Sequence, residues 1–382
     1  MEYRTAGESH GRALVALVTG VPAGIPLSPE IIDADLARRQ AGYGRGGRMA
    51  IERDRAMVLS GVRFGHTIGS PIALTIGNRD WDNWTDVMAT AGEGLDSARV
   101  TAPRPGHADL AGCLKTGTRD VRDILERASA RETASRVAAG GVARALLAAL
   151  GVRVFSWVER IGDATCGPLD PSTVDPSVVE TSDVRCPDPV AATAMRGAID
   201  AARDAGESLG GVFVVVAQGL VPGVGGYAEA VTRLDARLAA AVMSVPAIKG
   251  VEIGDGFAAA ERPGSQVHDP ILFDEARGFF RASNHAGGVE GGMTNGESLV
   301  LRAAMKPIPT LMKPLPTADL DTHEAVDASR ERSDVCAVPA AAVVAEAEVA
   351  MVLADAYCAK FGSDCLDDIL AALSAYRERI RQ

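Results

Sequence analysis

The order of the helices and strands is the feature that most restricts how this chain can fold. Runs with strand character come in clusters, at residues 11–20, 56–63, 71–77, 152–157, 210–219 and 297–305. Helices are predicted between and after them, at residues 29–40, 129–150, 188–205, 233–243, 339–357 and 365–380. Because the two kinds of element do not alternate regularly, the pattern favours α+β layers over a doubly wound parallel sheet. The sequence shows no linker and no repeat, so we expect a single domain over residues 1–382.

The helix at 129–150 is the clearest element of the sequence. Ser129 is placed as its N-cap, and Glu132 three residues later completes a capping box. Small residues recur along it at helical spacing, which suits close packing against a second helix; they are Ala134, Val137, Gly141, Ala145 and Ala149. Gly151 is expected to end this helix, and a loop with four prolines is expected at 165–187.

Composition excludes several classes of protein. The formal net charge of −11 means that the surface as a whole repels nucleic acid and anionic membranes. No segment resembles a signal peptide, and no apolar run approaches the roughly 20 residues of a membrane span. The six cysteines show no C-x-x-C spacing, which indicates reduced thiols in a cytoplasmic protein and no zinc site.

The segment Gly7-Glu8-Ser9-His10-Gly11 is the first candidate site. It places a serine and a histidine, two proton-handling groups, on a glycine turn directly before an apolar run. The spelling G-x-S-x-G is also that of a hydrolase nucleophile elbow, in which a strand precedes the serine and a helix follows it. A strand-like run follows here, so the context disfavours Ser9 as an acyl nucleophile. The remaining alternative is a glycine turn with a satisfied histidine.

An arginine-rich loop is the second candidate site. Between Leu36 and Ile51 the chain has no acid and four arginines, which are Arg38, Arg39, Arg45 and Arg48. Guanidinium groups suit phosphates and carboxylates, and the neighbouring glycines let a ligand approach the backbone. The loop therefore predicts an anion site, with a solvated helix end as the alternative.

Two further segments place proton-transfer groups beside arginines. In Arg104-Pro105-Gly106-His107-Ala108-Asp109 the histidine follows a Pro-Gly turn, where it can donate a proton beside an anion or simply be exposed. In Arg330-Glu331-Arg332-Ser333-Asp334 the aspartate is expected to stay ionised and to relay a proton, or to form an exposed ion pair. The start of the 129–150 helix, flanked by arginines, is also a candidate phosphate site.

Glycine turns at residues 283–296 precede a strand, and Lys306-Pro307-Ile308-Pro309-Thr310 follows it. We interpret these two segments as one cradle for a planar or phosphorylated ligand, with a surface loop as the alternative. The glycines at 223–228 resemble a dinucleotide fingerprint. However, five residues separate them from the preceding strand, which disfavours a Rossmann site.

Taken together, these segments resemble the chorismate synthase family. The matching motifs, in order, are G-E-S-H-G at 7–11, R-R-Q-A-G-Y-G-R-G-G-R-M at 38–49, R-P-G-H-A-D at 104–109, R-A-S-A-R-E-T at 127–133, K-G-V-E-I-G-D-G-F at 249–257, S-N-H-A-G-G at 283–288, K-P-I-P-T at 306–310 and R-S-D at 332–334. Their order and spacing hold from residue 3 to about 370, so the resemblance covers the whole chain.

The resemblance implies a fold and a reaction. The fold is a β-α-β sandwich with a helical core between antiparallel sheets, assembled as a homotetramer. The reaction is the 1,4-anti elimination of phosphate from 5-enolpyruvylshikimate 3-phosphate, which gives chorismate, the last common precursor of the aromatic amino acids. The family requires reduced FMN, although the reaction has no net redox change.

The resemblance also implies roles for individual residues. His10 would protonate the leaving phosphate, His107 would hold the reduced flavin in its protonation state, and Asp334 with Ser9 would relay the ring proton. The substrate's phosphate and two carboxylates would be bound by Arg39, Arg45, Arg48 and Arg104. The flavin would be lined by Arg127, Ala128, Ser129, Ala247, Gly291, Lys306, Pro307, Ile308, Pro309, Thr310 and Arg332.

Some points stay open at the level of sequence. Pro246 stands where the family often has asparagine, and since proline has neither that side chain nor an N–H, only the backbone of Ala247 transfers. The roles of His10 and His107 are interchangeable in the sequence, and Arg39 and Arg45 suit NADPH as well as the substrate. A flavin oxidoreductase with net hydride transfer and a non-catalytic anion-binding protein are the competing functions.

Overall fold

The computed structural model describes residues 1–45, 53–92, 94–275, 277–329 and 334–381. The α-helices in this part of the chain are α1 (Pro29–Gln40), α2 (Asp109–Thr116), α3 (Arg122–Leu125), α4 (Thr133–Ala149), α5 (Pro176–Thr181), α6 (Pro189–Asp204), α7 (Leu234–Met243), α8 (Val338–Phe361) and α9 (Leu366–Arg379). None of them is long and apolar enough to cross a membrane.

The strands form two main antiparallel sheets and several short hairpins. In chain order they are β1 (Glu2–Ala6), β2 (Ala13–Thr19), β3 (Ala56–Val58), β4 (Val62–Arg63), β5 (His66–Thr67), β6 (Ile72–Gly77), β7 (Arg153–Ile161), β8 (Ala164–Thr165), β9 (Gly211–Gln218), β10 (Ile248–Ile253), β11 (Ile271–Asp274), β12 (Gly278–Arg281), β13 (Val289–Glu290), β14 (Met293–Thr294), β15 (Leu299–Met305), β16 (Pro316–Ala318) and β17 (Ala325–Asp327). The first sheet has the order β1-β2-β6-β3 and the second the order β10-β15-β9-β7-β8.

The two sheets enclose a helical layer. Helix α4 packs on β2 and β6 of the first sheet, helix α8 packs on β7 and β9 of the second, and α4 and α8 pack on each other. Their contact is close because a Cβ built on Gly140 would lie 2.3 Å from the Cβ of Ala347. This arrangement confirms the α+β layers that the sequence pattern predicts and the helical core between antiparallel sheets that the family resemblance implies.

Strand β9 lies in the middle of the second sheet and is buried on both faces. Phe213 and Val215 face the main core, whereas Val214 and Val216 join Trp157 in a second apolar cluster on the outer face. This double burial explains why the strand reads as a continuous apolar run instead of alternating with polar residues.

Most predicted elements are present, and three predictions are wrong. The strand expected at 56–63 is broken into β3 and β4, because Gly61 has φ +83° and packs against Ile72. The loop expected at 165–187 contains α5, which Asp175 caps through the backbone N–H of Ser177. Helix α4 begins at Thr133, since residues 130–132 form a 3-10 turn instead of its first turn.

The capping box at Ser129 does not form. Ser129 accepts a hydrogen bond from the backbone N–H of Arg131 and so caps the 3-10 turn. The carboxylate of Glu132, which a capping box would direct back to the cap, instead accepts hydrogen bonds from Thr5 and Arg136.

Candidate active site

His10 lies in the turn between β1 and β2 and is held by Glu126, which follows α3. Nδ1 of His10 donates to Oε1 of Glu126 over 2.9 Å, and its backbone N–H donates to Oε2 over 2.9 Å. The backbone N–H of Ser9 donates to the carbonyl oxygen of Glu126. Burial opposes ionisation of the Glu126 carboxyl, but the hydrogen bond and charge of His10, with Arg122, hold its pKa below the usual range.

Trp84 and Arg122 complete the surroundings of His10. The indole ring of Trp84 stacks on the imidazole with the ring centroids 3.7 Å apart. Arg122 donates to Oε1 of Glu126 over 3.2 Å, and its guanidinium lies 5.3 Å from the centroid of the Trp84 ring. A cavity of about 590 Å³ lies beside this loop, lined by residues that include Gly11, Arg12 and Trp81.

The two serines of the candidate site are brought into contact. Ser129 donates to Oγ of Ser9 over 3.2 Å, and Ser9 is almost fully buried. Arg127 anchors the same loop, because it donates to the carbonyl oxygens of Gly7 and Thr5 and to the Thr5 hydroxyl. The backbone of Ala128 continues the α3 turn by donating to Ile124.

Arg39 is buried at the end of α1, and two of its three guanidinium nitrogens donate hydrogen bonds to described residues. Its Nε donates to the hydroxyl of Thr133 and its Nη2 to the carbonyl oxygen of Ala130, both over 2.9 Å. Nη1 is buried and finds no hydrogen-bond partner among the described residues, and it lies 3.6 Å from a carboxylate oxygen of Asp54. Burial, with the charges of Arg45 and Arg131, lowers the pKa of Arg39 to about 9, so the side chain is still cationic at neutral pH.

Asp54 and Asn78 connect Arg39 to the His10 loop. Arg131 donates to both carboxylate oxygens of Asp54, over 2.6 and 2.7 Å, and to the side-chain oxygen of Asn78 over 2.9 Å. The amide nitrogen of Asn78 in turn donates to the carbonyl oxygens of Glu8 and Gly11. A continuous network therefore joins the two loops that the sequence treats as separate sites.

Arg45 holds Asp334 beside the loop that follows α1. Nη1 of Arg45 lies 2.8 Å from Oδ2 of Asp334, and the backbone N–H of Val335 donates to the carbonyl oxygen of Gly44. The Nε of Arg45 is a second buried guanidinium nitrogen without a hydrogen-bond partner. The predicted residues Arg48 and Arg332 lie outside the described residues.

His107 belongs to a second cluster, built around Asp109 at the start of α2. Nδ1 of His107 lies 2.5 Å from Oδ1 of Asp109, and Nε of Arg104 donates to Oδ2 of Asp109 over 2.8 Å. Nη1 of Arg104 also reaches the hydroxyl of Thr310 over 3.2 Å. Burial opposes ionisation of Asp109, but its hydrogen bonds with His107 and Arg104 hold its pKa well below the usual range. The carboxylate therefore receives the Nδ1 proton of His107 and fixes the orientation of that ring.

The segment 306–310 lies against this second cluster. Nζ of Lys306 donates to the carbonyl oxygen of Gly106, and a Cβ on Gly106 would lie 3.6 Å from the Cβ of Pro309. The backbone N–H of Lys306 donates to the carbonyl oxygen of Ala247, which has a φ of +69°. Pro307 lies between Lys306 and Ile308, whose carbonyl oxygen accepts a hydrogen bond from Ser208 over 2.6 Å.

The two clusters meet near Asp334. The backbone N–H of Leu209 donates to the carbonyl oxygen of Val335, and Ser208, the neighbour of Leu209, is bonded to Ile308. Asp334 thus lies one residue from a backbone bond to Leu209, whose neighbour Ser208 contacts Ile308.

Gly291 lies apart from Lys306 within one copy of the chain, so residues 283–296 and 306–310 of the same copy do not form the predicted cradle together. Gly291 is in the turn of the β13–β14 hairpin, which contacts residues 223–234 and the start of β15. Lys306 follows the other end of β15, and a strand of seven residues spans roughly 20 Å. Among the described residues, no contact joins Gly291 to any other predicted site residue of the same chain.

Several site residues carry no signal that sequence reasoning recognised. The sequence motifs do not place Glu126 or Trp84 in the site. Glu126 directly precedes the R-A-S-A-R-E-T motif, but it is 116 residues from His10 along the chain. Asp109 is the last residue of the R-P-G-H-A-D motif, but the sequence assigns it no role of its own. Asp54 follows the arginine loop and pairs with Arg131. A buried acid near a run of arginines is the signal that could have identified Asp54.

Comparison with known proteins identifies the relatives of the chain. The model of the chorismate synthase family matches residues 1–358. The chorismate synthase of Symbiobacterium thermophilum is 55% identical over 388 residues, covering 100% of this chain and 99% of the relative. That of Moorella thermoacetica is 56% identical over 382 residues, covering 100% of both chains. A chorismate synthase crystal structure matches with a TM-score of 0.82 at 42% identity, covering 100% of this chain and 98% of that chain.

Proposed function

The chain belongs to the chorismate synthase family, and we propose that it converts 5-enolpyruvylshikimate 3-phosphate to chorismate by an FMN-dependent 1,4-anti elimination of phosphate. The enzyme is a lyase, since the reaction removes phosphate and a ring proton without net oxidation. Free cysteines, which are Cys113, Cys166, Cys186, Cys336, Cys358 and Cys365, support a location in the reducing cytoplasm.

Buried arginine nitrogens without partners are the observation that carries this proposal. Within the part of the chain that the structure describes, Nη1 of Arg39 and Nε of Arg45 have no hydrogen-bond partner, although both atoms are buried. Leaving such a donor unsatisfied costs about 1–3 kcal/mol, and more for a charged group. An anionic ligand removes that cost, and a substrate with one phosphate and two carboxylates offers enough oxygens for these two side chains and for Arg104.

The proton chemistry is assigned to the groups around His10. Because Glu126 takes the Nδ1 proton, exchange of a proton with a ligand goes through Nε2 of His10, which would protonate the departing phosphate. Ser9 and Asp334 would carry the ring proton away from the reacting centre. Ser9 is in contact with Ser129, and Asp334 is held beside Arg45.

The second cluster fits a flavin with a phosphate tail. Lys306 and Arg104 supply positive charge beside the turn at Gly106, against which Lys306 and Pro309 pack. His107 offers an imidazole whose Nδ1 is fixed by Asp109, so Nε2 is the nitrogen that would hold a proton near the flavin. When bound, reduced FMN supplies electron density to the allylic system and a nitrogen base for the ring proton.

Assembly of several copies would explain the position of Gly291. If Gly291 lines the flavin, as the family resemblance implies, it does so in a neighbouring copy, because it lies at the far end of β15 from Lys306. Exposed apolar side chains support such assembly. Val15, Leu17 and Met57 lie on the outer face of the first sheet, and Phe273 and Phe279 lie on the β11–β12 hairpin. We propose the homotetramer of the family as the assembly.

The test is an anaerobic assay that measures the release of chorismate and phosphate from 5-enolpyruvylshikimate 3-phosphate. With chemically reduced FMN, we expect one phosphate for each chorismate formed, and no product with oxidised FMN. A parallel reaction with NADPH and oxidised FMN shows whether the protein reduces its own flavin. Stoichiometric NADPH consumption without phosphate release would instead assign an oxidoreductase.

A further inference from the structure

We propose that Glu126 is the positioning residue of His10, which it holds in the orientation needed to protonate the leaving phosphate. This inference rests on the proposed elimination. It adds a residue that acts through His10 and does not itself contact the substrate. The observation behind it is that the carboxylate contacts both the ring and the backbone of the same histidine.

Three bonds between the two segments fix where His10 lies. The Glu126 carboxylate accepts from Nδ1 and from the backbone N–H of His10, each over 2.9 Å. The Glu126 carbonyl oxygen accepts from the backbone N–H of Ser9. Together these bonds restrain both the path of the turn and the rotation of the imidazole. Glu126 is only 2% exposed, so water competes little for the carboxylate.

Trp84 and Arg122 restrict the remaining freedom of the pair. Stacking of Trp84 on the imidazole covers one face of the ring, so the ring cannot swing away from Glu126 on that side. Arg122 donates to the carboxylate and lies over Trp84, which closes a ring of four side chains. The hydrogen bonds and charge of His10, with the charge of Arg122, hold the pKa of the buried Glu126 carboxyl below its usual range.

The chemical consequence is a choice of nitrogen. With Nδ1 donating to a carboxylate, Nε2 is the nitrogen that delivers the proton. The pair works in the same way as other catalytic histidines that are oriented by a buried carboxylate, in which the carboxylate does not take up the proton.

A double-mutant cycle tests whether Glu126 acts through His10. The variants are Glu126→Gln, His10→Ala and the double variant, assayed for phosphate release with reduced FMN. We expect Glu126→Gln to lower kcat at least ~10-fold in the presence of His10, with KM nearly unchanged, because an oriented acid contributes about 10²–10⁴-fold to rate. In the His10→Ala background the same substitution should change kcat less than about twofold, since nothing remains to be positioned.

Two controls separate this role from a structural one. Glu348→Gln removes an equally buried carboxylate that contacts Tyr3 and Arg136, and it should leave kcat unchanged. Affinity for oxidised FMN should be the same in all variants, because it reports the folded site independently of the proton transfer. If Glu126→Gln loses FMN binding, Glu126→Asp, which keeps the charge, takes its place in the cycle.

The outcomes separate the inference from the proposed function. An equal loss of kcat from Glu126→Gln with and without His10, or no loss in either background, would overturn the positioning role. A folded, flavin-binding wild-type protein that releases no phosphate would overturn the elimination itself, and the positioning role with it.

Discussion

Arg45 contacts Asp334 over 2.8 Å, which joins the loop after α1 to the segment that precedes α8. The ion pair occupies one nitrogen of the guanidinium and leaves Nε buried without a hydrogen-bond partner. Arg45 is therefore placed to hold Asp334 with one nitrogen and a ligand anion with another.

Replacing Arg45 should weaken substrate binding. A hydrogen bond to a charged group contributes about 1.5–3 kcal/mol, which corresponds to a KM for 5-enolpyruvylshikimate 3-phosphate that is roughly 10- to 150-fold higher in Arg45→Ala. Steady-state kinetics with reduced FMN measure the change. Arg203→Ala, at a half-exposed arginine of α6, is the control and should leave KM as it is. An unchanged KM in Arg45→Ala would remove Arg45 from the anion site.

Glu346 should be a strong and pH-dependent source of stability. The carboxylate is fully buried on α8, where burial alone would raise its pKa, but Arg38, Arg144 and Arg185 lower the pKa to about 2. A depressed folded-state pKa stabilises the fold above the unfolded value of 4.5, and this stabilisation is lost as pH falls toward 2.

We therefore expect Glu346→Gln to lower the free energy of unfolding by about 3–5 kcal/mol at pH 7, because three arginines lose the buried carboxylate that they share. Urea unfolding measures this, and the difference between the variant and wild type should shrink between pH 4.5 and pH 3. Glu180→Gln, at a partly exposed carboxylate that contacts Arg38, should cost much less. A difference that is the same at pH 7 and pH 3 would contradict the assignment.

Gly140 should be essential to the contact between α4 and α8. Since an added Cβ would lie 2.3 Å from the Cβ of Ala347, the two helices would have to separate. We expect Gly140→Ala to destabilise the protein by about 1–3 kcal/mol through overpacking. Gly197→Ala on α6 meets nothing within 4 Å, so it should instead stabilise the helix by roughly 0.5–1 kcal/mol. Thermal unfolding of both variants measures the two changes in Tm, which should be a decrease for Gly140→Ala and an increase for Gly197→Ala.

Gly291 should act in the site of a neighbouring copy. Gly291→Asp tolerates the positive φ of 58° and places a negative charge near the anionic cofactor of that copy. The variant should bind FMN weakly and therefore have low activity, whereas His10→Ala should bind FMN normally and have low activity because it lacks the acid. Mixed assemblies refolded from the two inactive variants should regain activity, because some sites then receive an intact residue of each kind. Absence of recovery in assemblies shown to be mixed would place Gly291 outside the flavin site.

Local signals in the sequence predict the fold well where they involve neighbouring residues. The Asp188–Pro189 pair correctly predicts the start of α6, because the cap and the first helical residue are adjacent and Asp188 accepts from Val190 and Ala191. The prediction fails at Ser129 and Glu132, where Thr5, which is distant in sequence, and Arg136, one helical turn further on, donate to the carboxylate. A capping box is a local pattern and does not show such tertiary competition.

The candidate site could be predicted in parts but not as an arrangement. The motifs identify His10, Arg39, Arg45, His107 and Asp334, yet nothing in the sequence pairs His10 with Glu126 or Arg45 with Asp334. These pairs depend on packing of α1, α3 and the segment before α8. Residues 283–296 and 306–310 are close in sequence, but β15 separates them, so proximity along the chain was misleading.

The measurement that tests the central claim most directly is the number of chorismate molecules formed per reduced flavin. The protein is loaded anaerobically with a known amount of reduced FMN and mixed with excess 5-enolpyruvylshikimate 3-phosphate, while chorismate and flavin absorbance are followed together. The elimination proposed here predicts many turnovers per flavin, with the flavin still reduced when substrate is exhausted. One turnover per flavin, with oxidised FMN accumulating in step with product, would contradict it.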